Sequence, residues 1–136
     1  MNVREEEQQP TTENKMEKIY LEAHRAGIIA GNNAKPAPMG VCLANPVTGE
    51  PIALIDIVAD GVCGFAWISM KAKTPENRKF ISWAKKANVI SKTHDGFWIW
   101  VGEFNQSMTR KEAYARAFAS VLKAHGIDCY ADSKMD

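Results

Sequence analysis

The sequence predicts an α+β fold, with three helices packed on a mainly antiparallel five-stranded sheet in the order α-β-β-β-α-β-α-β. Three observations carry that reading. Apolar residues recur at helical spacing in three separate stretches. Five short runs that are apolar, or that alternate with a period of two, lie between and after them, at 39–44, 52–58, 62–69, 97–104 and 127–131. The last run, helix and run form a βαβ unit, which predicts one parallel pair at the C-terminal end.

Residues 1–11 hold Glu5, Glu6, Glu7, Gln8, Gln9 and Pro10 and almost nothing apolar, so they read as a disordered acidic tail. Residues 12–136 read as one domain. The first helix runs from Thr12 to about Ala30, with Met16, Ile19, Tyr20, Ala23, Gly27 and Ala30 on its apolar stripe. Ala23, Gly27 and Gly31 leave a small-residue track against which the sheet, or a second copy of the helix, can approach closely. Gly31-Asn32-Asn33 suits the left-handed conformations that end helices.

A loop stiffened by Pro36 and Pro38 leads to the strand 39–44. Asn45-Pro46-Val47-Thr48-Gly49 carries turn chemistry, and Asp60-Gly61 between two apolar runs is a hairpin signal. The first three strands therefore read as an antiparallel meander over 39–69. The second helix spans 75–87, with Thr74 as N-cap, Pro75 in the first turn, and Phe80, Trp83, Ala84 and Ala87 as its stripe. After a loop at 88–96 comes the strand 97–104. Thr109-Arg110-Lys111-Glu112 matches a capping box for the third helix. Tyr114, Ala117, Phe118, Val121, Leu122 and His125 keep its spacing, Gly126 ends it, and 127–131 is the last strand.

Side chains on a strand alternate. Phe65 and Trp67 therefore share one side of their strand, and Trp98 and Trp100 share one side of theirs. If the strands are neighbours, four large rings stand on one sheet face. That face is core under helices, a self-association interface or a platform for a ligand. Five strands span roughly 20–24 Å at ~4.8 Å spacing, and a helix is ~10 Å across. The two C-terminal helices thus cover most of one face, and the first helix at most about half of the other unless it crowds in beside them.

A net charge of +1 argues against a general nucleic-acid binder. No run approaches the ~20 apolar residues of a membrane helix. The polar start, MNVREEEQQPTTENK, has no signal-peptide core, which predicts a cytoplasmic protein. Cys42, Cys63 and Cys129 are odd in number and widely spaced, and read as buried reduced thiols. A zinc site recruiting His24, His94 or His125, or a cross-strand disulfide, are the other readings.

The loop at 104–112 is the candidate site. It follows a strand and opens a helix, where free backbone N–H groups and the helix dipole favour an anion. Asn105, Gln106 and Ser107 add neutral hydrogen-bonding groups, and Arg110 and Lys111 add charge. The competing reading is a well-capped helix with solvated basic residues. Residues 71–92 carry Lys71, Lys73, Arg78, Lys79, Lys85, Lys86 and Lys92 against Glu76 alone, either the wet face of a helix or a patch for an anionic partner. His94-Asp95 sit in a turn, and Asp56 lies in an otherwise apolar strand. Neither makes a catalytic constellation, so no enzyme and no cofactor is expected.

The stretches EAHRAGIIAGNNAKPAPMGV (22–41) and WVGEFNQSMTRKEAYARAFASVLKAHGIDCYADSKMD (100–136) resemble a family of small proteins encoded by bacteriophages and prophages. Members show an aromatic or apolar strand, an E-[FY]-x-Q-S loop, an alanine-rich helix and a Gly-Ile/Val-x-Ala-Tyr strand. Here Cys129 stands where a small residue is usual, and Lys134 where Arg is usual. The resemblance implies a small protein acting in the host cytoplasm on host defences, host enzymes or virion assembly.

The leading expectation is a homo-oligomeric accessory protein that binds a small anionic or nucleotide-type ligand without catalysis, with counter-defence as one role such a protein would serve. Asn105, Gln106, Ser107, Arg110 and Lys111 would hold its polar parts, and Trp98 or Trp100 would stack on a base. The alternative is a protein-interaction module that inhibits a host protein or acts in assembly through the aromatic sheet face.

Overall fold

A computed structural model describes residues 11–36, 39–44, 51–58, 63–105 and 107–136. Its elements are α1 (Thr12–Asn33), β1 (Met39–Ala44), β2 (Pro51–Val58), β3 (Gly64–Met70), α2 (Pro75–Ala87), β4 (Ser91–Lys92), β5 (Phe97–Trp100), α3 (Met108–Ala124) and β6 (Tyr130–Met135). The fold is α+β, with three helices and a four-stranded antiparallel sheet in the order β4-β5-β3-β6. The tail expected over 1–11, the turns at 45–49 and 60–61, and Gln106 lie outside the described residues, except that Thr11 is the N-cap of α1.

The expected five-stranded sheet does not form. β1 and β2 pair with each other in a separate two-stranded ribbon, whereas β3 is the central strand of the other sheet. The reason is legible in β3 itself. Ala66, Ile68 and Met70 are buried on one side, and Trp67 and Ser69 are buried on the other. A strand apolar on both faces belongs in the middle of a sheet. Both its edges are taken, by β5 and by β6, so none is left for β2.

The expected parallel pair is corrected in the same way. β5 and β6 are each antiparallel to β3, so they run parallel to one another with β3 between them. From β3 onward the order β-α-β-β-α-β with this strand order is the split βαβ, or ferredoxin-like, arrangement. β4, absent from the sequence reading, pairs Ser91 with Trp98 and Lys92 with Phe97 across the His94-Asp95-Gly96 turn.

α1 starts as expected, with Thr11 Oγ1 accepting from the Asn14 N–H at 3.0 Å. It does not end in a left-handed turn at Gly31-Asn32-Asn33. It runs through Asn33 to an extended Ala34, because the Arg110 guanidinium donates to the carbonyls of Gly31 (2.9 Å) and Asn32 (3.3 Å) and satisfies the last turn. The small-residue track faces inward. A Cβ on Gly27 would stand 2.6 Å from the Tyr114 ring, and one on Gly31 would stand 2.3 Å from the Phe104 ring. Of the two expected uses, the track seats α1 within its own chain, on α3 and the loop before it rather than on the sheet.

α2 matches its expected bounds, with Thr74 capping and Asn88 closing it in the left-handed region (φ 61°). Ile81 and Asn77 are buried where Ala87 was expected, and Ala87 is exposed. The cap of α3 lies two residues before the expected one. Ser107, not Thr109, is the N-cap, its Oγ accepting from the Arg110 N–H at 3.3 Å.

The last strand starts at Tyr130 instead of at 127, and the cause is Asn77. This buried side chain donates to the Lys71 carbonyl (2.7 Å) and the Asp128 carbonyl (2.8 Å). It accepts from the Asp128 N–H (2.8 Å) and from Thr74 Oγ1 (3.0 Å). Asp128 spends both backbone groups on α2, so the ladder with β3 begins only beyond it. Ile127 and Cys129 still enter the core.

Truncating this clamp removes the side-chain partner of three part-buried backbone groups, on Lys71 and Asp128. Asn77→Ala should destabilise the fold by about 2–4 kcal/mol. Urea unfolding should show a lower midpoint at unchanged m-value. A midpoint equal to wild type would mean that solvent replaces the clamp at no cost.

Candidate functional site

The register of the central strands brings the four predicted rings together. Trp67 stands opposite Trp100, and Ser69 opposite Trp98. Phe65 and Trp67 project to the side away from Ala66, Ile68 and Met70, which are core. On β6 the same side carries Tyr130, Asp132 and Lys134, opposite Ser69, Trp67 and Phe65 in turn. The sheet therefore has one face under helices and one face of aromatic rings.

The rings organise themselves. Trp67 and Trp98 stack at 4.5 Å between centroids, tilted by 18°. Trp100 leans on both, at 5.3 Å from each. Phe65 meets Trp100 edge to face at 6.4 Å. Trp67 is left only 8% exposed, but Phe65 is 40%, Trp100 48% and Tyr130 54% exposed. At ~150–250 Å² per aromatic side chain, that is a substantial apolar surface on a chain of this size.

The loop residues do not converge on this face or on one another. Asn105 is exposed and sits with Phe104 in the left-handed region (φ 51° and 69°). Such a φ on Phe104 costs on the order of 1–2 kcal/mol, and it brings the ring to the position Gly31 accommodates. Gln106 lies outside the described residues. Ser107 is buried as the cap of α3, and it also bridges to Cys63 across the start of β3. Arg110 turns to the end of α1. Lys111 is 6% exposed, its Nζ 3.5 Å from the Gly64 carbonyl and 5.7 Å from the Phe65 ring centroid. Of these residues, only Lys111 reaches the rim of the aromatic face.

The basic residues around α2 are partly engaged. Lys86 pairs with Glu13, and Lys79 lies 4.0 Å from Glu76. Lys85 and Lys92 sit over the Phe97 ring, at 4.9 and 5.2 Å from its centroid. Lys71 and Lys73, with Ser69 and Tyr130, line a pocket of about 190 Å³ at the end of the aromatic face.

Sequence reasoning missed one titratable cluster. His24 Nδ1 and the Tyr114 hydroxyl share a hydrogen bond of 2.6 Å. Glu103 Oε2 lies 3.8 Å from that same Nδ1. A relay needs the acid and the nucleophile on different ring nitrogens, so this grouping is not one. Burial holds the Tyr114 hydroxyl far above the usual phenol range, with Glu103 adding to the effect, which keeps it neutral. The signal for this cluster is the spacing of Tyr20 and His24 on α1, one turn apart. The other two histidines are apart from it. His125 Nε2 is 3.0 Å from Glu22, and the exposed His94 is beside Asp95 in the β4–β5 turn. Among the described residues no three His, Cys, Asp or Glu side chains gather as a metal site would require. Asp56 faces Val41 across the β1–β2 ladder.

Of the expected buried thiols, Cys129 is buried and Cys63 is exposed, and both are free. Cys42 lies in β1. Burial pushes the Cys129 thiol up from 9.0 to about 11, with Lys123 opposing and Asp128 adding to the shift.

The chain matches no family model, no curated protein and no solved structure. No described helix is long and apolar enough to cross a membrane.

The thiol gives a test of sign. An acid whose folded pKa exceeds its unfolded value stabilises the fold below the unfolded pKa, and that stability is lost as pH climbs to the folded one. Burial of Tyr20 and Tyr114 acts in the same direction. Urea midpoints should therefore fall between pH 9 and 11, and fall less in Cys129→Ala. Alkylation followed by peptide mapping should label Cys63 in the native protein and Cys129 only on unfolding. Rapid native labelling of Cys129 would contradict the burial described.

Proposed function

We propose that the protein is a non-enzymatic interaction module whose working surface is the aromatic face of its four-stranded sheet. The observation that carries this is the exposure of Phe65, Trp100 and Tyr130 on a face braced from within by the Trp67–Trp98 stack. Large aromatic residues on a rigid support, with charged groups at the margin, are the makeup of interface hot spots. The margin carries Lys134 and the nearby Lys111 against Asp132. The partner that fits is a protein segment presenting apolar side chains flanked by carboxylates. The resemblance to phage proteins supplies a context, in which such a module inhibits a host protein or takes part in assembly.

A second reading has one observation in its favour. The pocket beside Tyr130, with Lys71 and Lys73 on its wall, adjoins the ring face. A nucleotide-type ligand would stack its base on an exposed ring and lay its phosphate toward those lysines.

A photo-crosslinking side chain at Phe65 tests both, with one at the exposed Ser120 of α3 as the control, in cells that express the protein. A discrete protein captured from position 65 and not from position 120 is the expected result. Its capture should drop at least tenfold in Trp100→Ala/Tyr130→Ala at unchanged fold, because hot-spot truncations cost about 2 kcal/mol or more. A nucleotide or nucleic-acid adduct instead would transfer the face to the second reading. No selective capture from position 65 would refute both.

A further inference from the structure

β6 is one of the two edge strands of the four-stranded sheet, opposite β4. The direction of its free hydrogen-bonding groups follows from the ladder. Asp136 N–H donates to the Cys63 carbonyl at 3.1 Å. In an antiparallel pair the bonded positions alternate, so Tyr130, Asp132 and Lys134 turn their backbone groups to β3. Ala131, Ser133 and Met135 turn theirs outward. The Ser133 N–H agrees, since it is met by the side chain of its own neighbour, Asp132, at 2.8 Å. Two of the exposed large apolar residues, Tyr130 and Met135, stand on this same strand.

We propose that a second copy of the chain pairs here, β6 against β6, across a two-fold axis at Ser133. Outward groups can meet only outward groups, so the registers that pair at least two outward residues of each β6 place Asp132, Ser133 or Lys134 on the axis. With Asp132 on the axis, two aspartates face each other. With Lys134 on the axis, two lysines do. With Ser133 on the axis, Asp132 of each copy faces the partner's Lys134, twice over. That register also engages all three outward residues, Ser133 with itself and Ala131 with the partner's Met135. Hydrogen bonding and charge select the same arrangement.

The pairing is isologous, as a two-fold interface must be. Ser133 N–H transfers from Asp132 to the partner's Ser133 carbonyl, which frees the Asp132 carboxylate for the partner's Lys134. Among the described residues, the outward edge of β6 is covered by that aspartate, a charge guard of the kind edge strands carry. Paired residues across a ladder project to the same side, so the two aromatic faces would join on one side of an eight-stranded sheet.

Sedimentation velocity on the full chain over a wide concentration range tests this. The expected species has twice the 15.1 kDa chain mass. Asp132→Lys sets lysine against Lys134, and Lys134→Asp sets aspartate against Asp132. Each should weaken dimerisation at least roughly tenfold, since two cross-strand pairs turn from attractive to repulsive. The charge-swapped double variant should recover wild-type affinity within about threefold. Ser133→Pro, which removes the outward N–H at the axis, should abolish the dimer. Circular dichroism on each variant identifies any that fails to fold, and the charge swap gives a readout that loss of folding cannot mimic. A wild-type monomer at all concentrations overturns the proposal. So does a dimer indifferent to the single reversals, or a double variant no better than either single.

Discussion

The structure depends on β3. Its odd-numbered residues bond β6 and its even-numbered residues bond β5, so the strand has no free edge. Its two faces are apolar for different purposes. Ala66, Ile68 and Met70 are at most 2% exposed and anchor the helices. Phe65 and Trp67 found the aromatic face. A one-residue slip would exchange the two sets and place tryptophans under the helices. Opposite Ile68 and Met70 stand Ile99 and Phe97, which are buried on the same side, so register and hydrophobic pattern agree. That agreement is what fixes the sheet.

The helices leave the second face alone because α1 has a better place to go. Its track of small residues lets it approach the Tyr114 and Phe104 rings directly, and Tyr20 meets Trp83 at 5.3 Å and Phe118 at 5.4 Å. Packing α1 on α3 and α2 buries Met16, Ile19 and Ala23 with the main core. Spreading the same helix over Trp98 and Trp100 would have required large residues where Gly27 and Gly31 stand. The stripe in α1 thus has a consequence on the far side of the sheet, where the rings stack on one another and remain partly in solvent.

Where the sequence could be read, local chemistry and tertiary packing agreed. α2 was legible because Thr74, Pro75 and an apolar stripe all point to the same start, and period two put Phe65 with Trp67 and Trp98 with Trp100, while the pairing of β3 with β5 that joins the four rings came from the fold. Two of the misreadings share one cause, a long-range polar contact that competes with a local signal. The Asp128 backbone is claimed by Asn77, so the last strand starts late. The end of α1 is claimed by Arg110, so Asn32-Asn33 stays helical. β4 is two residues long, with no periodicity to detect. The centrality of β3 was present in its two apolar faces, but Asp60-Gly61 suggested a hairpin partner that the other strands displace.

The loop at 104–112 has a structural role that its residue types do not announce. The opening of a helix carries positive partial charge, and adding Arg110 there should be unfavourable unless something negative is near. In this fold something is. The C-terminal carbonyls of α1, the negative end of a 22-residue helix, lie within hydrogen-bond reach of that guanidinium. The arrangement joins the negative end of α1 to the positive end of α3 through a single side chain. Phe104 accepts a left-handed backbone in the same loop, next to Gly31. Arg110 and Phe104, which the sequence groups with polar neighbours in one loop, contribute to the seam that holds α1 to α3. Part of the Arg110 charge is met by the protein's own backbone, at the carbonyls of Gly31 and Asn32.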